Sequence, residues 1–208
     1  MRTTPRMLDD RDFFVLEDIE AALDPQAVFA NANPLYIEIG SGKGEFISQY
    51  SIQHPDWNFL GFEGREKRIR NILKKISPAQ HTNVRIVRLM VDANIASVLP
   101  PESVSGVFIQ HPDPWPKRRH YKRRLFQQDF LDALAKVMLL EAQVHVSTDH
   151  EEYANWIAEA FVRNPHYLSL RDEIIQKDPS LDDHVATWYE TEQRRQGFTP
   201  NYMLFKRI

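Results

Sequence analysis

Cysteine is absent from the 208 residues. That excludes disulfides, thiolate metal sites and a cysteine nucleophile, and it suits a cytoplasmic protein. No apolar run approaches the length of a membrane span, and the first residues lack an apolar signal-peptide core. Neither membrane insertion nor export is expected. An overall positive charge is missing too: the formal net charge is −3. The protein as a whole is therefore no basic nucleic-acid binder, and local charge must decide that question. The eight histidines form no i, i+4 pair, so no metal site is expected.

The rest of the composition is ordinary, with 42 % hydrophobic and 26 % charged residues, and the length suits one α/β domain with a sizeable core. Residues 1–33 read as a polar arm with Pro5 and Pro25 and a short helix near Asp9–Ala22, preceding a main domain over 34–208. From Leu35 the pattern changes. Leu35–Ile39, Asn58–Phe62, Val84–Val91, Val104–Ile109 and Gln143–Ser147 are short apolar runs that read as buried strands. Helical patterns alternate with them at Glu45–Ser51, Arg65–Ile76, Leu125–Leu140 and Glu151–Arg163. The tail from His166 reads as two or three strands, Tyr202–Lys206 being the clearest. This alternation predicts an α/β fold: a Rossmann-like, doubly wound mixed sheet with helices on both faces and an antiparallel C-terminal strand.

In such sheets ligands bind beyond the carboxyl ends of the strands. Each of the five strands ends at or near a carboxylate: Glu38, Glu63, Asp92, Asp113 and Asp149. The first strand also runs into Gly40-Ser41-Gly42-Lys43-Gly44, whose glycines permit a tight turn and close approach of a ligand to the backbone. The spacing is G-x-G-x-G, unlike the dinucleotide fingerprint G-x-G-x-x-G. Glu45, at the helix start, is a poor neighbour for a pyrophosphate. A ligand with hydroxyls and a positive centre suits this edge better. Glu63 stands where an acidic side chain accepts hydrogen bonds from a ribose diol, and Asp92 where one accepts from an adenine amino group. Taken singly, the glycine turn reads equally as structural and Glu63 as a solvated loop charge; their conjunction with Asp92 points to a nucleoside-bearing cofactor.

Glu38-Ile39-Gly40-Ser41-Gly42-Lys43-Gly44-Glu45-Phe46 resembles the first motif of the tRNA (guanine-N7-)-methyltransferases. His111-Pro112-Asp113-Pro114-Trp115-Pro116-Lys117 and Arg119–Leu125 resemble that family's next two segments. Thr148-Asp149, Thr187-Trp188-Tyr189-Glu190 and Arg194-Arg195-Gln196-Gly197 resemble its C-terminal motifs. The resemblance covers roughly residues 27–205. It implies S-adenosyl-L-methionine as methyl donor and N7 of a guanine in the tRNA variable loop, position 46, as acceptor. By the same resemblance Glu38, Gly40, Gly42, Glu63, Asp92, Ala93 and Asp113 bind cofactor and Asp113 lies at the reaction centre. Lys117, Asp149, Thr187 and Glu190 then contact the substrate. Three departures stand out. Gln110 and His111 replace aromatic or aliphatic residues, Tyr121 replaces an asparagine, and Trp188-Tyr189 fill the middle of a T-K-F-E or T-E-F-E motif.

Six of the eight residues Lys117–Arg124 are Lys or Arg, a run that attracts phosphates or forms a solvated helix face. Trp115 is placed either to stack on a base or to pack beneath the loop, and Asp149 either to meet substrate or to cap the next helix. His111 is a proton shuttle or a loop histidine with structural hydrogen bonds. The expected partner is tRNA, with the protein a monomer or homodimer. A catalytically silent RNA-binding module is the alternative, against which the intact Glu38, Glu63, Asp92 and Asp113 argue. A small-molecule methyltransferase has no use for the basic run, and the glycine spacing disfavours a nicotinamide dehydrogenase.

Overall fold

A computed structural model of the protein describes residues 9–17, 19, 21–181 and 183–208. The first eight residues of the expected arm lie outside these. The rest of the arm carries helix α1 (Asp9–Phe14), strand β1 (Val15–Leu16) and helix α2 (Pro25–Phe29). The expected helix near Asp9–Ala22 is thus cut short at Phe14, because Val15 and Leu16 leave it to pair with Ile86 and Val87 at the sheet edge. Asp24 starts α2 by accepting a hydrogen bond from the Gln26 amide, ahead of a proline at the first turn.

The strands at Leu35–Ile39 (β2) and Asn58–Phe62 (β3) have the expected bounds, and Val104–Gln110 (β5) runs one residue longer. Strand β4 covers only Val84–Val87, so the expected strand to Val91 is four residues too long. Helices α3 (Glu45–Gln53), α4 (Glu66–Ile72) and α5 (Ile95–Val98) follow β2, β3 and β4. Helix α6 (Gln128–Val137) ends earlier than the sequence suggests. Met138-Leu139-Leu140 continues the apolar pattern without a breaker, yet these residues open strand β6 (Met138–Thr148). Helix α7 (Glu151–Arg163) matches expectation. The tail forms β7 (Tyr167–Ser169) and β8 (Asn201–Arg207), with an unexpected helix α8 (Trp188–Arg195) between them. Among its first residues the inward-facing one is the buried Glu190, so apolar periodicity does not announce this helix. The T-x-x-E spacing of Thr187 and Glu190 does: the Thr187 hydroxyl accepts from the Glu190 amide at 3.1 Å and caps α8.

One sheet runs in the order β1-β4-β3-β2-β5-β6-β8-β7. All pairs from β1 to β6 are parallel; β8 lies antiparallel to both β6 and β7. Alternate strand residues feed two cores. Phe59 packs with Phe46, Ile47 and Tyr50 of α3 and Ile69 and Ile72 of α4. The next residue, Leu60, belongs to the other face, as does Val107 of β5, with Phe130, Leu131 and Leu134 of α6 and Tyr153, Ile157 and Phe161 of α7. Each such buried large side chain contributes about 1.5–3 kcal/mol relative to exposure. The strand order reverses between β2 and β5, which opens a crevice at their carboxyl ends. None of the described helices is long and apolar enough to cross a membrane.

Candidate active site

The crevice is walled on one side by the glycine loop. Gly40, Gly42 and Gly44 all adopt positive φ, at 80°, 57° and 78°. At Gly44 a Cβ would sit 2.9 Å from the Ile72 side chain, so α3 and α4 approach as closely as they do only because it is glycine. Above Gly40 none of the described residues lies within 4 Å of where a Cβ would be, leaving room for a ligand against the backbone. Glu63 braces this loop from below: buried at the end of β3, it accepts from the Gly42 amide at 3.1 Å and the Arg65 amide at 2.8 Å. Glu38, in β2, is also buried, and among the described residues its Oε2 has no hydrogen-bond partner. Burial, reinforced by the Glu45 and Glu63 charges, pushes its carboxyl up to about 8.

Because β4 stops at Val87, Asp92 is not at a strand end as the sequence suggests. It is exposed in the following loop, where its Oδ1 accepts from the Asn94 amide at 2.8 Å. Ala93 beside it is half-buried.

Across the crevice, β5 ends in Gln110 and passes into Pro112-Asp113-Pro114. Two non-glycine residues with left-handed backbone bracket this tripeptide, His111 at φ 48° and Trp115 at φ 44°. Such conformations cost on the order of 1–3 kcal/mol each and persist only where surroundings over-determine them. One determinant is Arg124. The sequence counts it among the surface cations, but it is the one member of the run that is buried. Its Nε donates to the Pro114 carbonyl at 2.8 Å, and its Nη2 to Glu152 at 2.9 Å. The guanidinium lies 3.7 Å from the Tyr121 ring centroid and 4.8 Å from that of Trp156. Tyr121 therefore has a packing role, and its hydroxyl donates to Glu152. Asp113 itself is exposed at the loop tip.

The other cations of the run lie in or beside a 3₁₀ turn over Arg118–Arg123. Lys117, Arg118, Arg119, Lys122 and Arg123 are exposed, and among the described residues none of them pairs with a carboxylate. Trp115 is half-buried between the Arg123 guanidinium at 5.1 Å and the His120 ring at 5.6 Å.

The third wall comes from β6 and α8. Asp149 follows β6, and it does not cap α7: His150 does, accepting from the Tyr153 amide. Asp149 instead receives the Tyr189 hydroxyl at 3.0 Å. Burial, with the Asp149 charge and hydrogen bond and the Asp113 charge, pushes the Tyr189 phenol up to about 12. Trp188 reaches the glycine loop, its ring centroid 3.6 Å from Lys43 Nζ. Both departures from the T-K-F-E pattern thus fall at the crevice. Glu190 is closed to solvent. Its Oε1 accepts from Tyr202 at 2.6 Å and Arg194 at 3.0 Å, and its Oε2 from His184 at 2.8 Å. The structure therefore brings together the glycine loop, Glu38, Glu63, Asp113 and Asp149, while Asp92 stays exposed in its loop, Thr187 serves α8 and Glu190 is enclosed. Among the described residues no group of three His, Asp or Glu is arranged to hold a metal.

A family model described as "Putative methyltransferase" matches residues 32–201. The chain is 36 % identical over 185 residues to a tRNA (guanine-N(7)-)-methyltransferase of Nitrosospira multiformis, covering 89 % of this chain and 80 % of that one. The chain belongs to the tRNA (guanine-N7-)-methyltransferase family. Solved structures with the same fold include the 16S rRNA methyltransferase KamB, with a TM-score of 0.63 at 15 % identity over 94 % of this chain and 98 % of that one. Another is a 16S rRNA (adenine(1408)-N(1))-methyltransferase variant from Catenulisporales acidiphilia, solved with its cosubstrate SAM, with a TM-score of 0.54 at 15 % identity over 89 % and 92 % of the two chains. In this member of the family the glycine loop and the Asp113 loop occupy opposite sides of one crevice, which makes that crevice the candidate active site.

Proposed function

We propose that this protein transfers a methyl group from S-adenosyl-L-methionine to N7 of a guanine in tRNA, at position 46 of the variable loop. The observation that carries this reading is the pairing, across one topological switch point, of two features. On one side is a glycine loop with the buried Glu38 carboxyl beneath it; on the other is the Asp113 loop leading into five exposed cations that, among the described residues, pair with no carboxylate. The cytoplasm is the compartment this reading implies, and a monomer or homodimer the state.

The residues present fit the donor. Glu38 offers a buried acceptor to a cationic or hydrogen-donating group. The space over Gly40, with Gly42 beside it, admits a ligand against the backbone. Glu63, Asp92 and Ala93 are, in this reading, the residues that meet the nucleoside, whose hydroxyls and amine need acceptors. When bound, the donor supplies an electrophilic methyl group and a positive charge. A pH dependence arises from the Glu38 geometry. Its carboxyl holds its proton up to about 8 in the free protein, and a cationic ligand favours the ionised form. Donor affinity is therefore expected to strengthen as pH rises toward 8, by up to about tenfold per pH unit, and to level off above it. Calorimetry across that range checks this, with Glu38→Gln expected to abolish the slope; a flat wild-type profile contradicts it.

On the acceptor side, guanine N7 already carries a lone pair, so this chain need supply no general base. Its work is alignment and charge stabilisation. The guanine ring becomes cationic as N7 is alkylated, and in this reading the Asp113 carboxylate stabilises it, supported by the pinning of its loop through Pro114 and Arg124. Lys117 and the exposed arginines after it hold phosphates, a contact that weakens with salt. Asp149, with Tyr189, presents an acceptor to the base edge. Thr187 and Glu190 support that wall from within.

The deciding experiment is incubation with unmodified tRNA and methyl-labelled donor, followed by nucleoside analysis. All label is expected in 7-methylguanosine. Label in another nucleoside overturns the acceptor assignment, and RNA binding without label is the behaviour of a catalytically silent module.

A further inference from the structure

His111 stands where the family pattern has an aromatic or aliphatic residue. Its backbone is left-handed, and its amide donates to the Ser147 carbonyl at 2.9 Å, so the side chain is turned into the wall between β6 and α8. There the ring is 5 % exposed. Nδ1 lies 3.6 Å from Asp149 Oδ1, and Nε2 lies 4.0 Å from Glu190 Oε2. Among the described residues both ring nitrogens are buried without a hydrogen-bond partner, and each is a few tenths of an ångström to one ångström beyond reach of a carboxylate oxygen. The Tyr189 ring completes the enclosure, its centroid 5.1 Å from that of His111.

Among the described residues few groups face this imidazole. From the end of β6 comes Asp149, whose other oxygen is held by Tyr189. From α8 come Glu190 and Tyr189. The loop before α8 supplies His184, which shares Glu190 Oε2, while Arg194 and Tyr202 occupy Oε1. A neutral imidazole donates from one nitrogen only; an imidazolium donates from both. Two carboxylates on opposite sides of one ring therefore match the charged form.

We infer that His111 is a positioning residue which, as an imidazolium, ties Asp149 to the enclosed Glu190 and so fixes the acidic group presented to the acceptor base. The inference rests on the tRNA-guanine reading above. It makes the wall a proton-dependent element. Burial alone would lower the His111 imidazole, but the Asp149 and Glu190 carboxylates outweigh it and raise it above the ordinary histidine value. The tie is present below that raised value and is lost as pH rises through it. This direction opposes that of donor binding, which strengthens toward pH 8, so the two limbs are separable by saturating the donor.

The test is kcat/KM for unmodified tRNA at saturating donor between about pH 6 and 9, for wild type, His111→Phe and His111→Gln. The wild type is expected to lose about tenfold or more on the alkaline side, the scale on which small misplacements of reacting groups act. Both variants are expected to lack that limb and to resemble the alkaline wild type throughout. Imidazole NMR provides a readout independent of turnover: the His111 midpoint is expected to fall in Asp149→Asn. An alkaline limb that survives in both variants overturns the inference, as does a midpoint unmoved in Asp149→Asn. Wild-type protein that methylates no guanine overturns the reading beneath it, and the inference falls with that reading.

Discussion

Asp113→Asn is expected to lower the single-turnover rate of methyl transfer by about 100-fold or more, the usual size of one preorganised electrostatic group. The substitution preserves shape and removes charge. Asp113 is exposed at the loop tip and, among the described residues, its side chain makes no hydrogen bond, so the fold has little stake in it. Melting temperature is therefore expected to change little while the chemical step slows. The contrast identifies the cause: the ring that gains positive charge loses its counter-charge. A variant with near-normal single-turnover rates would show that Asp113 does not face the reacting base. Arg124 is the natural companion. Because its Nε holds the Pro114 carbonyl, it bears on the same loop through backbone placement and not through charge at the reacting atoms.

Glu190→Ala is expected to act on stability. The carboxylate is fully enclosed and accepts from Tyr202, Arg194 and His184. Removing it leaves three donors facing a gap, one of them charged. Breaking buried pairs in this way costs about 3–5 kcal/mol. For a chain of this size that corresponds to a fall in Tm of roughly 6 °C or more. Glu190→Gln, which retains the shape and one acceptor oxygen, is expected to cost less. A pH signature accompanies this. Burial alone would raise the Glu190 carboxyl, but the facing His111 imidazole and the hydrogen bonds from His184 and Tyr202 prevail and hold it far below the usual carboxylate range. Its folded value is depressed, so its contribution is present above the ordinary glutamate value and drains away as pH falls from there toward the folded value. Thermal melts of wild type and Glu190→Gln should therefore converge in acid. Equal melting temperatures for wild type and Glu190→Ala at neutral pH would refute the structural role.

How much of this was legible from residues depends on range. Strands β2 and β3 and helix α7 could be read because their signals are local: apolar runs ended by glycine or turn residues, and one face repeating at helical spacing. The α6–β6 boundary was hidden because Met138-Leu139-Leu140 satisfies a helix and a strand equally, and pairing of Met138 with Val104 decides between them. Helix α8 was hidden because its buried contact is an ionised glutamate whose partners, His184 and Tyr202, stand 6 and 12 residues away. The cap at Thr187 was visible in the T-x-x-E spacing, yet it resembles a substrate motif equally well.

The glycine loop, the acidic strand ends and the basic run belong to the sequence by itself, because turn conformation, charge sign and hydrophobic period are properties of neighbouring residues. Together with the motif order they determine the fold class and the family. Which charges face the crevice was decided only by tertiary structure. Packing withdrew Arg124 from the surface to pin the Asp113 loop, enclosed Glu190, stranded Asp92 beyond a shortened strand, and seated His111 between two carboxylates 38 and 79 positions along the chain. Burial sets whether a polar group serves the ligand or the fold, and burial depends on segments that meet only when the sheet is assembled.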